Sequence, residues 1–145
     1  MSDREALADL VAEYARCVDR GDPEGVAACF APDGVLRIVN LARGGELIGE
    51  RKGREQITRA ISRMPYHPTF HFLGQQQVEV NGDTATGETY CIAHHLTVPD
   101  DASAAHDYIM YIRYQDHFAR LDEGWRFAAR ELHIDWTETR PVENS

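Results

Sequence analysis

Three cysteines, Cys17, Cys29 and Cys91, are an odd number, lie far apart, and form no CxxC pair. A disulfide framework and a thiolate metal site both drop out, and a reducing compartment follows. No stretch approaches the ~18 apolar residues that a bilayer crossing needs. The N-terminal MSDREALADL is charged and amphipathic and lacks an apolar signal core, so a cytoplasmic protein without a membrane partner is expected. Positive charge is scarce too, with 15 Lys and Arg against 24 Asp and Glu for a net charge of −9. The one basic cluster, Arg51-Lys52-Gly53-Arg54, is too small to grip a polyanion, which argues against nucleic acid. Internal repeats and low-complexity segments are absent as well.

The 145 residues are enough for one domain that buries roughly 70% of its unfolded surface without a staple. Ser2 with Glu5 reads as a capping box, and Leu7, Leu10, Val11, Tyr14 and Val18 recur at helical spacing until Gly21. On that wheel Asp19 sits beside Ala8, Ala12 and Ala15, away from Arg16 and Arg20, and can point inward. Asp22-Pro23 starts a short second helix through Phe30, and Asp33-Gly34 turns the chain into a strand from Val35 to Val39. Residues 40 to 50 read as Gly-rich and irregular, and Gly53 to Met64 as a third helix stopped by Pro65 and Pro68.

Residues 65 to 98 are the centre of the sheet. A period of two puts Phe70, Phe72, Val78 and Val80 on one face of a strand and His71 and Leu73 on the other. Asn81-Gly82, tolerant of positive φ at both positions, returns Thr84 to Val98 with Tyr90, Ile92, His94 and Leu96 on one side. Strands Tyr108 to Ala119 and Trp125 to Thr137 follow, joined by the turn Asp122-Glu123-Gly124, and residues 139 to 145 read as a fraying tail after a domain of residues 1–138. Helices first and antiparallel strands after make an α+β fold, a curved sheet wrapped around N-terminal helices with a pocket at its open end.

With LADLVAEYARCVDRGDPEGVAACFAPDGV, FHFLGQQQVEVNGDTATGETYCIAHHL and YQDHFARLDEGWRFAARELHIDW in view, the chain resembles the SnoaL-like proteins of the nuclear-transport-factor-two-like superfamily over nearly its whole length. The resemblance implies a cone-shaped α+β barrel of the cystatin-like kind. It also implies a homo-oligomer, dimer or trimer, and chemistry without metal or organic cofactor. The branch it resembles is that of scytalone dehydratase, bile acid 7α-dehydratase and hexachlorocyclohexane dehydrochlorinase. There a His–Asp dyad joins the end of the first helix to the hairpin strand, which matches His71 and Asp19 here. Tyr14 and Arg130 match further catalytic positions, and His94 or His95 matches a polar pocket residue of the second hairpin strand. Tyr90, Phe72 and Trp136 complete the expected substrate lining. Gln75 departs from the superfamily, which often carries Asn there.

An imidazole whose tautomer is fixed by a carboxylate serves as a general base, removing a proton from carbon beside a carbonyl or a leaving group. Tyr14 and Arg130 would hold the developing oxyanion or the departing hydroxyl. The expectation is a lyase or isomerase, dehydratase-like, acting on a hydrophobic small molecule such as a polyketide or steroid-like compound. The alternatives are a polyketide cyclase, a non-catalytic carrier, and a structural subunit of the same fold. His67 is read as a rim residue, His106 as solvated, and His117 and His133 as cross-strand polar pairs. The HxxxH at 67 and 71 crosses a Pro-containing extended segment, so its spacing sets no metal geometry.

Overall fold

A computed structural model describes residues 1–98 and 104–143. Ser2 caps α1 (Asp3–Asp19) by accepting the Glu5 backbone N–H at 3.1 Å. Leu7, Val11, Tyr14 and Val18 form its buried stripe, and Gly21 at φ +65° lets the chain leave the helix. Asp22 caps the short α2 (Pro23–Ala28) through the Gly25 N–H at 3.0 Å. That helix stops before Phe30 because the Phe127 N–H donates to the Cys29 carbonyl at 2.9 Å and draws the chain into the sheet. Phe30 therefore opens β1 (Phe30–Asn40), five residues ahead of the expected start. A register break follows at Gly34, where a Cβ would lie 2.9 Å from the Phe127 carbonyl oxygen.

The stretch expected to be irregular is mostly strand. After one 3-10 turn at Leu41–Arg43, Gly44 and Gly45 at φ +73° and +83° fold the chain back as β2 (Glu46–Lys52), antiparallel to β1. The α3 helix (Gly53–Ser62) ends two residues short of the expected Met64 and buries Ile57. The long strands β3 (Thr69–Asn81), β4 (Thr84–Thr97), β5 (His106–Leu121) and β6 (Gly124–Pro141) complete a curved sheet of order β2-β1-β6-β5-β4-β3. Among the described residues only β1 and β6 pair in parallel.

Three details differ from the sequence reading. The hairpin turn is Gly82-Asp83, and only Gly82 has positive φ. The register of β3 shifts between Leu73 and Gln76, so Val78 packs on the core while Phe70 and Phe72 face outward. The expected tail is paired as far as Pro141, which lies opposite His106 on β5. The helices cover the concave side of the sheet over an aromatic core, in which Tyr14 meets Phe127 at 5.8 Å and Tyr114 at 6.0 Å, both edge-on. Among the described residues no helix is long and apolar enough to cross a membrane.

Candidate active site

Asp19 ends α1 directly over the start of β3, and its carboxylate takes three hydrogen bonds there. The His71 ring donates from Nδ1 to Oδ1 at 2.6 Å, the His71 backbone N–H donates to Oδ2 at 3.0 Å, and Thr69 Oγ1 donates to Oδ1 at 3.0 Å. A carboxylate only accepts, so Nδ1 carries a proton, and in the neutral ring Nε2 is the nitrogen left with a lone pair. Burial works to raise the Asp19 carboxyl, but the His71 ring, its backbone N–H and Thr69 together outweigh it and hold Asp19 below the usual carboxylate range. The His71 side chain is only 6% exposed.

The two adjacent histidines of β4 part company. His95 points inward, its ring 5.9 Å from that of His71, with Nδ1 donating to the Tyr108 carbonyl at 3.0 Å. Burial, reinforced by the neighbouring His71, lowers its pKa and favours the neutral ring. Tyr66 covers it, ring to ring at 5.1 Å. His94 points outward and donates from Nδ1 to Asp107 at 2.6 Å, apart from the inward site. The strand alternation that separates them is fixed by the Thr69↔His95 and Phe70↔His94 pairs.

Tyr14 and Arg130 lie in the packed core instead of lining an opening. Arg130 is fully buried, with Nε donating to Asp116 Oδ1 at 3.0 Å and its guanidinium carbon 4.3 Å from the Tyr14 ring centre and 3.5 Å from that of Tyr114. The expected direct contact with a reacting oxygen is therefore corrected, because aromatic packing encloses both side chains. Arg130 Nη1 has no hydrogen-bond partner among the described residues.

Asp19 and His71 border a shallow groove of about 490 Å³ between α1 and the edge strand β3, with Ala12, Ala15, Phe70 and Phe72 as its apolar walls. Arg16 and Arg20, expected to lie away from Asp19, share this groove: Arg16 is its i,i+3 neighbour on the helix, and Arg20 is the C-cap residue that follows it. Tyr90 and Trp136 sit elsewhere. They line a separate groove on the outer face of the sheet with Tyr111, Ile92 and Arg113, which Phe72 also touches. The outward phase of β4 and β6 puts them there, so their expected place beside the dyad is corrected. His67 lines an opening beside Thr69 and Tyr66, and His133 bonds Glu131 two residues away on its own strand at 3.0 Å, not a cross-strand partner. No three His, Cys, Asp or Glu side chains cluster as a metal site among the described residues.

Thr69 and Asp116 were missed by sequence reasoning, although both carry a signal. Thr69 shares the inward phase of His71, and Asp116 interrupts the inward apolar series Ile112, Tyr114, Phe118.

A curved α+β sheet with helices on its concave side and a half-buried His–Asp contact at the end of the first helix defines a class of small barrel-like proteins. The chain belongs to the SnoaL-like domain family of the nuclear-transport-factor-two-like superfamily, whose model matches residues 1–131. An uncharacterized protein of Mycobacterium tuberculosis is 25% identical over 130 residues, covering 90% of this chain and 84% of that one. A candidate scytalone dehydratase from Novosphingobium aromaticivorans superposes with TM-score 0.79 at 21% identity, over 98% of this chain and 90% of that one. A hexachlorocyclohexane dehydrochlorinase superposes with TM-score 0.78 at 18% identity, over 98% and 92%. At these identities the likeness to the two structures is one of fold.

Proposed function

We propose that this chain is a lyase or isomerase that removes a proton from carbon in a hydrophobic small molecule, polyketide-like or steroid-like, without metal or organic cofactor. The observation that carries the reading is the 2.6 Å contact between His71 Nδ1 and Asp19, braced by the His71 backbone N–H on the same carboxylate. His71 Nε2 takes the proton, and Asp19 stabilises the imidazolium that forms. The electron pair left on carbon forms a new double bond while a hydroxyl or halide departs, or the proton returns at a second carbon. His95, enclosed by Tyr66 with its ring 5.9 Å from that of His71, packs behind the base and helps to hold it in place. Tyr14 and Arg130 act as positioning residues, packing α1 and hence Asp19 against the sheet.

Every branch of this chemistry begins with C–H cleavage, so loss of deuterium to H₂O from substrates labelled beside the carbonyl tests it without knowledge of the product. In a panel of β-hydroxy and β-halo ketones the wild type should catalyse that loss, and His71→Ala should not. Loss that is absent from the whole panel, or equal in the two proteins, counts against the proposal.

A second reading, a carrier or structural subunit, draws support from the outer face, where Phe70 and Phe72 are each 62% exposed and Trp136 52%. Within the catalytic reading a second copy of the chain covers the part of that face around Trp136, Tyr111 and Ile92, and Phe70 and Phe72 stay open to the Asp19–His71 groove.

A further inference from the structure

Arg16 and Arg20 are the cations of the groove that Asp19 and His71 border, which Phe70 and Phe72 also line. Neither is there to neutralise Asp19. That carboxylate is already served by Thr69, the His71 ring and the His71 N–H, and no ion pair joins it to either arginine. Arg16 reaches only Glu13, at 3.3 Å with both side chains about half exposed, a contact of little strength in water. Arg20 has no ion-pair partner among the described residues.

Like charges four residues apart on a helix repel by a few tenths of a kcal/mol. The helix dipole offsets a cation in the last turn, yet it does not require two of them to flank one groove. In a chain of net charge −9 two arginines line this groove against the single carboxylate of Asp19, and they lie beside the proposed base. Cations and aromatic rings lining one groove suit a flat apolar body with a negative group at one end. A guanidinium is the side chain best fitted to a carboxylate.

We propose that the substrate of the Asp19–His71 site is anionic, an apolar, flat molecule whose carboxylate or similar group is held by Arg16 and Arg20 while its body lies against Phe70 and Phe72. The inference rests on the catalytic reading above for the location of the site. Its test is independent of turnover. The arginines act as binding groups and leave the carbon acid to His71.

The experiment compares 2-naphthoate with the isosteric neutral 2-naphthamide, titrated into the full chain and followed by amide ¹H–¹⁵N shifts. The acid should bind more tightly than the amide, with shifts concentrated at residues 12–20 and 70–73. The double variant Arg16→Gln/Arg20→Gln should weaken the acid by about tenfold, leave the amide unchanged, and remove most of the salt dependence. Both positions are exposed, so the variant keeps the fold and an unchanged amide spectrum elsewhere verifies it. Equal affinities for acid and amide, no binding of either at millimolar concentration, shifts located elsewhere, or an acid affinity indifferent to the double variant would overturn the proposal. If anion selectivity appears while deuterium loss is absent, the catalytic reading fails and the anion site stands. If deuterium loss appears without anion selectivity, the anion site fails and the catalytic reading stands.

Discussion

Arg130→Met is the most severe single perturbation the structure suggests. Arg130 and Asp116 are both completely buried, with Nε to Oδ1 at 3.0 Å and Nη2 to Oδ2 at 3.4 Å. Removing the guanidinium strands a carboxylate in the aromatic core, at a cost of about 3–5 kcal/mol. For a chain of this size that lowers Tm by about 10–20 °C. Asp116→Leu should cost less, because Tyr14, Tyr114 and Phe127 surround the orphaned cation and return about 2 kcal/mol of cation–π attraction. The double variant Arg130→Met/Asp116→Leu removes both charges and should recover most of the loss, so the two single effects are far from additive. Urea denaturation of the four proteins gives the cycle directly. A cost for Arg130→Met below about 1 kcal/mol, or an additive cycle, would refute the view of this pair as a buried, mutually dependent ion pair.

Four further outcomes follow from other parts of the molecule. Because Asp19 is held below the usual carboxylate range, its contribution to stability is present above about pH 4 and fades as pH falls through its lowered pKa; the urea-midpoint gap between wild type and Asp19→Asn should therefore narrow below that pH. Burial holds His95 neutral, so below about pH 6.5 the unfolded chain takes up a proton that the folded one resists; His95→Gln should lose less stability than the wild type between pH 7.5 and 5.5 in the same assay. Burial pushes the Cys17 thiol up to about 12 and those of Cys29 and Cys91 to about 11, so native protein at pH 8 should resist iodoacetamide, and rapid labelling would contradict the packing. Sedimentation should show an oligomer, and Trp136→Glu should dissociate it with the fold intact, since that side chain is 52% exposed.

Much of the candidate site was legible because its determinants are local. The cap at Ser2 and the Gly21 stop fix the length of α1 and so deliver Asp19 to its last turn, and strand alternation gives His71 its inward direction. What failed depends on pairing between distant segments. The bulge at Leu73 and Gln76 reverses the face of β3, and nothing in the local pattern reveals it. Phe30 reads as the end of a helix until β6 is available to hydrogen-bond its neighbour. Whether Tyr90 and Trp136 face the dyad or the outer surface turns on the phase of two strands relative to helices far away in sequence. Arg130 was expected in the site from the family resemblance, whereas its position is set by Asp116 fourteen residues earlier on the neighbouring strand.

The most direct test of the central claim is kcat/KM for Asp19→Asn, His71→Ala and the double variant, on a carbon acid whose deuterium loss the wild type catalyses. Each single substitution should lower it by about 10²–10⁴, and the double variant should be hardly worse than His71→Ala, as for groups that act as one unit. Activity within about twofold of wild type in His71→Ala or Asp19→Asn would contradict the account.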